Sequence, residues 1–168
     1  MPLRNIPPRD PPLVFLPTGD DPAWRRARAD NTLPLAGVAL LAVEDSRVAS
    51  DVLRLMCQRL GVRLRRAETI RTARAYLQRY RPDIVLIDLG LPDGRGDALI
   101  RDLVAAGAPP PAILATSADP DGRATALAAG AAEFLDKPIE GLAAFRDALL
   151  RHLPGRGLPT AAPDPDTA

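Results

Sequence analysis

Apolar residues fall into two alternating patterns along the chain. Short runs that are almost wholly apolar, at 38–43 and 84–88 for example, are typical of strands buried on both faces of a sheet. Between the runs, apolar residues recur every three or four positions, as on one face of a helix. Five such strand–helix pairs in succession predict an open parallel sheet with helices on both faces. The predicted strands are 38–43, 62–67, 84–88, 112–116 and 133–136, and the predicted helices are 47–60, 69–80, 96–106, 121–129 and 142–153.

Polar residues and glycines mark the ends of several predicted elements. Ser46 precedes the first helix, where its hydroxyl can cap the free amides of the first turn. Gly61 and Gly130 follow the first and fourth helices, where a left-handed residue commonly ends a helix. Gly94 and Gly96 are interpreted as turn glycines and not as a nucleotide-binding loop.

Proline content sets the predicted domain boundaries. Of the 19 prolines, eight lie in residues 1–34 and four in 154–168. Segments this rich in proline favour extended, solvated backbone and bury little surface. We therefore expect a mostly disordered arm over 1–34, one folded domain over 35–153 and a disordered tail over 154–168.

Composition narrows the class of protein. A hydrophobic fraction of 46% with 26% charged residues is that of a soluble globular protein, and a net charge of +1 predicts no general attraction to nucleic acid or to anionic membranes. The longest apolar run, 33–43, is shorter than the roughly 20 residues that span a bilayer. Cys57 is the only cysteine, which excludes a disulfide within the chain, and His152 is the only histidine, expected to be a solvated partner of a helix dipole. We expect a cytoplasmic protein.

Polar side chains gather at the carboxyl ends of the predicted strands. In open parallel sheets, ligands bind in the crevice beyond those ends, where the strand order reverses. Acidic residues end or follow the first and third strands, hydroxyl residues end the fourth, and a lysine follows the fifth. The residues at these ends are Glu44, Asp45, Asp88, Thr116, Ser117 and Lys137.

Three crowded carboxylates predict a site for a hard divalent cation. The carboxylates repel one another unless a cation lies among them, and Mg²⁺ suits such a site because it accepts one or two carboxylates and keeps several waters. A carboxylate can also attack phosphorus to give an aspartyl phosphate. A metal ion and a lysine would then stabilise the charge on the transferring phosphoryl group.

Four segments resemble, in order and spacing, those of response regulator receiver domains in two-component signalling. The resemblance covers about residues 35–153 and implies a flavodoxin-like, doubly wound α/β fold with five parallel strands in the order 2-1-3-4-5. It also implies a phosphoprotein of a phosphorelay that catalyses only its own phosphorylation and slow dephosphorylation, and is not otherwise an enzyme. The four segments are LLAVEDS at 40–46, IVLIDLGLP at 84–92, TSA at 116–118 and KP at 137–138.

The resemblance assigns roles to the acidic residues. Asp88 lies at the phosphoacceptor position. Glu44 and Asp45 would hold Mg²⁺ with Asp88, directly or through water, and the backbone carbonyl of Gly90 would complete the metal site. Glu44 is a departure, since aspartate is commoner there, but one added methylene should still let the carboxylate serve the metal.

The resemblance also assigns the residues that respond to the phosphoryl group. Lys137 would pair with that group, and the peptide bond to Pro138 would be cis. Phe134 lies at the aromatic position that changes rotamer on activation. Counting from Pro111 puts Thr116 at the switch hydroxyl, yet Ser117 with Ala118 also resembles the usual hydroxyl–alanine pair, so Ser117 stays an alternative.

The expected function is that of a stand-alone response regulator. A histidine kinase or histidine phosphotransfer protein would donate its phosphoryl group to Asp88, and the receiver would signal through altered contacts with a downstream protein or pass the group onward. One alternative is a receiver-fold interaction module that works without phosphorylation. A small aspartyl-phosphate phosphatase is a weaker alternative, because Gly90 stands where such enzymes often carry a second aspartate.

Arginine usage raises two further points. Of 22 basic residues only Lys137 is lysine, which favours a specific need for a compact ammonium at that position. Residues 59–81 hold eight arginines and one acidic residue, Glu68. This run is interpreted either as a solvated face with a general arginine bias or as a docking patch for an acidic partner surface.

Overall fold

A computed structural model describes residues 33–107 and 110–153 of the chain. The predicted tail at 154–168, and the predicted arm except for residues 33 and 34, lie outside the described residues. Five strands and five helices alternate in the predicted order. The strands are β1 Ala39–Val43, β2 Arg63–Ala67, β3 Ile84–Asp88, β4 Ala112–Ser117 and β5 Glu133–Asp136, and the helices are α1 Arg47–Leu60, α2 Ile70–Leu77, α3 Gly96–Ala105, α4 Gly122–Ala129 and α5 Gly141–Arg151.

The five strands form one parallel sheet in the order β2-β1-β3-β4-β5. This confirms the flavodoxin-like α/β fold and the predicted strand order. The chain leaves β1 toward β2 on one side and returns to β3 on the other, so the strand order reverses between β1 and β3. In sheets of this kind, ligands bind at the carboxyl ends of the two strands that flank the reversal.

Apolar side chains fill both faces of the sheet, as the continuous apolar runs predict. On one face, α1 and α5 pack on the strands through residues such as Leu53 and Phe145, which is 0% exposed. On the other face, α2, α3 and α4 pack through Ile70, Leu99 and Ala126. Both helical layers cover the sheet, and the strand ends that carry polar groups meet at one edge of it.

The local signals at α1 act as predicted. The Ser46 hydroxyl accepts a hydrogen bond from the Ala49 amide at 3.3 Å, and Gly61 ends the helix with a left-handed φ of 79°. The predicted helix 69–80 is shorter at both ends: Thr69 is its N-cap, so the helix begins at Ile70, and it ends at Leu77 with Gln78 as its C-cap. Pro82 follows and excludes a helical continuation past residue 80.

Two local features of the structure differ from expectation. A two-residue antiparallel hairpin, Gly90–Leu91 with Gly94–Arg95, follows β3 where only turn glycines were predicted. His152 is not a merely solvated residue: its Nε2 atom lies 2.5 Å from the Glu133 carboxylate, and its side chain is 22% exposed. Within the described ranges, none of the helices is long and apolar enough to cross a bilayer.

Candidate functional site

The sheet register brings the predicted site residues together at its carboxyl edge. Val43 of β1 is the partner of Ile87 of β3, so Glu44 comes next to Asp88. Asp88 is in turn the partner of Thr116 in β4. Because partners on adjacent parallel strands point to the same face of the sheet, the side chains of Asp88 and Thr116 lie on one side.

The acidic residues form one cluster. Glu44, Asp45 and Asp88 each place a carboxylate oxygen within 4.8 Å of the others. Glu44 and Asp88 are buried, at 2% and 7% exposure, whereas Asp45 is exposed. Backbone amides fix the two buried carboxylates: Ser46 donates to Glu44 Oε1 at 2.8 Å, and Gly90 donates to Asp88 Oδ1 at 3.0 Å.

Lys137, which directly follows β5, places its ammonium between two of the carboxylates. Its Nζ atom lies 2.5 Å from Glu44 Oε2 and 2.7 Å from Asp88 Oδ2. Burial is the largest influence and lowers the pKa of Lys137, but the hydrogen bonds and charges of Asp88 and Glu44 together raise that pKa above its ordinary value. The lysine is therefore charged at neutral pH. The bond between Lys137 and Pro138 is cis, as expected.

The two candidate hydroxyls lie in different surroundings. Thr116 is 2% exposed, and within the described part of the chain its hydroxyl has no hydrogen-bond partner. The Ser117 hydroxyl instead accepts a hydrogen bond from the Asp119 amide at 3.0 Å. A Cβ on Gly122 would lie 3.1 Å from Ser117 Cβ and 3.4 Å from the Phe134 ring, so Ser117 lies on the Phe134 side of the sheet.

Phe134 is buried in the layer formed by α2, α3 and α4, at 3% exposure. The guanidinium of Arg123 lies over its ring, 5.1 Å from the centroid. The same guanidinium is 2.8 Å from the Asp136 carboxylate at the end of β5. Sequence reasoning identified Phe134 and missed Arg123, since nothing in the sequence shows which arginine reaches the ring.

The loop after β3 approaches Asp88 closely. A Cβ on Gly96 would lie only 2.1 Å from the backbone oxygen of Asp88, so this position accepts no side chain without movement of the backbone. The Gly96 amide donates to the Leu89 carbonyl at 3.0 Å. Gly90 is exposed at the rim of the site. The hairpin thereby fixes the segment that carries the nucleophile candidate.

A family model of the response regulator receiver domain matches residues 40–149. The chain belongs to this family. It is 37% identical over 129 residues to the KDP operon transcriptional regulatory protein KdpE of Escherichia coli K12, covering 75% of this chain and 55% of that protein. It is 34% identical to the virulence transcriptional regulatory protein PhoP of Salmonella typhimurium LT2, covering 69% and 53%. The receiver chain thus spans about half the length of these curated relatives.

Solved receiver structures agree with the fold. A response regulator of Chloroflexus aurantiacus J-10-fl superimposes with a TM-score of 0.60 at 25% identity, over 68% of this chain and 92% of that one. The chemotaxis response regulator CheY4 of Vibrio cholerae gives a TM-score of 0.62 at 24% identity, over 69% and 98%. At that identity, the likeness to CheY4 concerns the fold alone.

The acidic cluster of this receiver fits a magnesium ion. Receiver domains bind Mg²⁺ at an acidic pocket, and aspartate phosphorylation is typical of the family. Glu44, Asp45 and Asp88 supply the hard oxygen ligands that Mg²⁺ prefers, within 4.8 Å of one another. Asp45 is the most accessible of the three, because it is exposed and, among the described residues, its carboxylate accepts no hydrogen bond.

Proposed function

We propose that this receiver accepts a phosphoryl group on Asp88 from a phosphohistidine of a histidine kinase or a histidine phosphotransfer protein, with Mg²⁺ as cofactor. The observation that carries the proposal is the convergence of three carboxylates and the only lysine of the chain on one point of the sheet edge. A structural ion pair needs one carboxylate for one ammonium. Three carboxylates leave an excess of negative charge that suits a cation.

In this mechanism an oxygen of Asp88 attacks the phosphorus, the new P–O bond forms as the P–N bond to the donor histidine breaks, and the imidazole leaves with the bonding electron pair. Bound Mg²⁺ would supply positive charge to the phosphoryl oxygens, held by Glu44, Asp45, Asp88 and the carbonyl of Gly90. Lys137 already lies 2.7 Å from Asp88, so its ammonium can follow the oxygens that carry the new charge.

Thr116 is the hydroxyl we assign to the switch. Its side chain shares the Asp88 face, and its buried hydroxyl has no hydrogen-bond partner among the described residues. The Ser117 hydroxyl instead lies on the Phe134 side and already accepts a hydrogen bond from the Asp119 amide. A phosphoryl group on Asp88 would offer acceptor oxygens to that donor. Phe134 is already buried in this structure, so phosphorylation would act by stabilising its inward position.

The output of the domain is proposed to be a change in protein contacts. A hydrogen bond from Thr116 to the phosphoryl group, with Phe134 stabilised in its inward position, would alter the surface formed by α4, β5 and α5, and so its affinity for a downstream protein. Alternatively, the domain would pass its phosphoryl group onward. KdpE and PhoP are named as transcriptional regulators. For this chain we propose that the receiver domain signals in the cytoplasm through these altered contacts.

One observation favours a second function, that of an interaction module that works without phosphorylation. Lys137 satisfies one oxygen of each buried carboxylate, and backbone amides satisfy the others, so the cluster is stable as it stands. The two functions differ in their response to a phosphoryl donor.

The test is incubation of the full chain with acetyl phosphate and Mg²⁺, followed by intact mass measurement. We expect one phosphoryl group on the wild type, none on Asp88→Asn, and none on the wild type after chelation of the metal. Asp93→Asn is the matched control, because Asp93 lies on the same loop and should label normally. Equal labelling of Asp88→Asn and wild type would overturn the assignment, and no labelling of either would favour the interaction module.

A further inference from the structure

Arg66 of β2 makes contacts that neither interpretation of the basic run 59–81 anticipates. Its Nε atom donates to the backbone carbonyl of Glu44 at 3.2 Å, and its Nη2 atom donates to the backbone carbonyl of Asp45, also at 3.2 Å. Its Nη1 atom lies 3.2 Å from the Glu68 carboxylate. The guanidinium therefore binds the main chain of the two residues that lead from β1 into the acidic cluster.

This contact matters because the Asp45 carboxylate has little else to hold it. Lys137 offsets the charge of Glu44 and Asp88, to which it bonds, whereas the Asp45 carboxylate is repelled by both. Glu44 is buried and tied to the Ser46 amide, but the exposed Asp45 carboxylate accepts no hydrogen bond among the described residues. The position of that carboxylate is therefore set by its main chain, and Arg66 is the side chain that bonds to the Asp45 carbonyl.

An arginine suits this contact better than a lysine. The planar guanidinium presents adjacent donors in a fixed fork, which matches two neighbouring acceptors with a smaller loss of side-chain freedom than two separate bonds would need. The ion pair with Glu68 restrains the third nitrogen, and the Arg66 side chain is only 29% exposed. The guanidinium is thus restrained on three sides while it holds the two carbonyls.

We infer that Arg66 is a positioning residue for the metal site: through the carbonyls of Glu44 and Asp45 it holds the Asp45 carboxylate where Mg²⁺ can use it. The inference rests on the proposed function, since it requires a divalent cation at this cluster. Partners of metal ligands typically change metal affinity by about 10-fold to 100-fold when removed. We expect the lower end, about tenfold, because the Arg66 contacts are partly exposed.

Charge alone would act in the opposite direction. A guanidinium close to the cluster repels a second cation, so its removal should tighten Mg²⁺ binding if Arg66 contributed only charge. Loss of a positioning contact should weaken binding instead. The sign of the change in affinity therefore separates the two roles.

The experiment is calorimetric titration of the full chain with MgCl₂ alone, for the wild type, Arg66→Met, Arg66→Lys and Arg65→Met. Arg65 is the matched control, because it is the adjacent arginine of β2 and points to the other face of the sheet. We expect about tenfold weaker binding in Arg66→Met, weaker binding also in Arg66→Lys, which keeps the charge but lacks the fork, and no weakening in Arg65→Met. Unchanged or tighter binding in Arg66→Met, or wild-type binding in Arg66→Lys, would overturn the inference.

A second readout needs no metal. Amide hydrogen exchange at Ser46, whose N–H is bonded to Glu44 Oε1, should be faster in metal-free Arg66→Met than in the wild type, and unchanged in Arg65→Met. Equal exchange in all three proteins would contradict the positioning role. If the wild type itself bound no Mg²⁺ while Ser46 exchange still rose in Arg66→Met, the proposed metal site would be wrong although Arg66 orders the loop.

Discussion

Replacing Lys137 by methionine removes the ammonium that lies between Glu44 and Asp88. The side chains of these two acids are only 3% and 10% exposed, so water can hydrate the uncovered oxygens only in part. Each keeps one backbone donor, from Ser46 or Gly90. Breaking a buried ion pair from one side costs about 3–5 kcal/mol. Because Lys137 is itself 22% exposed, we expect a smaller loss, about 2 kcal/mol of unfolding free energy without Mg²⁺.

Magnesium should reverse part of that loss. The variant has the same three carboxylates without the competing ammonium, so its affinity for Mg²⁺ should rise by at least about tenfold, which corresponds to about 1.4 kcal/mol. Urea unfolding with and without MgCl₂ measures both effects, since ligand binding to the folded state adds to its stability. Arg54→Met is the control, because its pair with Asp51 is exposed and should change little in either condition.

The pH dependence of the same variant gives a further check. The folded-state pKa of Lys137 lies above its ordinary value of 10.5, so its contribution to stability is fully present below about pH 10.5 and is lost as the pH rises above that value. The stability gap between wild type and Lys137→Met should therefore stay constant from neutral pH to about pH 10 and narrow beyond. The magnesium measurement also has an outcome that would refute the reasoning. If MgCl₂ raised the unfolding free energy of wild type and Lys137→Met equally, Lys137 would not compete with a metal at this cluster.

Three further outcomes are expected. Lys137→Arg should still accept a phosphoryl group but fail to shift conformation, because a planar guanidinium does not meet one oxygen at close range; equal beryllofluoride-induced amide protection in both proteins would contradict this. Burial raises the pKa of the Cys57 thiol to about 12, so a thiol reagent at neutral pH should modify Cys57 only after unfolding in urea. Rapid labelling of the folded protein would show instead that the contact between α1 and the sheet opens. Limited proteolysis should leave a stable product near residues 35–153, and early cleavage inside α2 would show that the domain boundaries are wrong.

Local signals explain why much of the fold could be predicted. The strands of the sheet are buried on both faces, so their apolar runs stand out, and Ser46 and Gly61 act on the ends of α1 through bonds within a few residues. The carboxyl ends of parallel strands share one edge, which is why Asp88 and Lys137 could be expected together before any distance was known.

Contacts set by long side chains could not be predicted. Arg66 is one of eight arginines in the basic run, and the sequence does not show which of them reaches the acidic pair. In the structure its guanidinium donates to the backbone carbonyls of Glu44 and Asp45, which follow β1. Arg123 likewise reaches Phe134 from a helix eleven positions earlier. The faces of the sheet on which Thr116 and Ser117 lie depended on register, since one residue along a strand changes the face.

The central claim, that Asp88 is the phosphoacceptor, is tested most directly by chemical trapping of the acyl phosphate. Borohydride reduces an aspartyl phosphate to homoserine and leaves free carboxylates unchanged. After treatment with acetyl phosphate, Mg²⁺ and borohydride, trypsin should release peptide 80–95, which contains Asp83, Asp88 and Asp93, and tandem mass spectrometry locates the reduced residue. We predict homoserine at position 88 alone, dependent on Mg²⁺. Homoserine at position 83 or 93, or an unreduced peptide from protein that carries the phosphoryl group, would contradict the account.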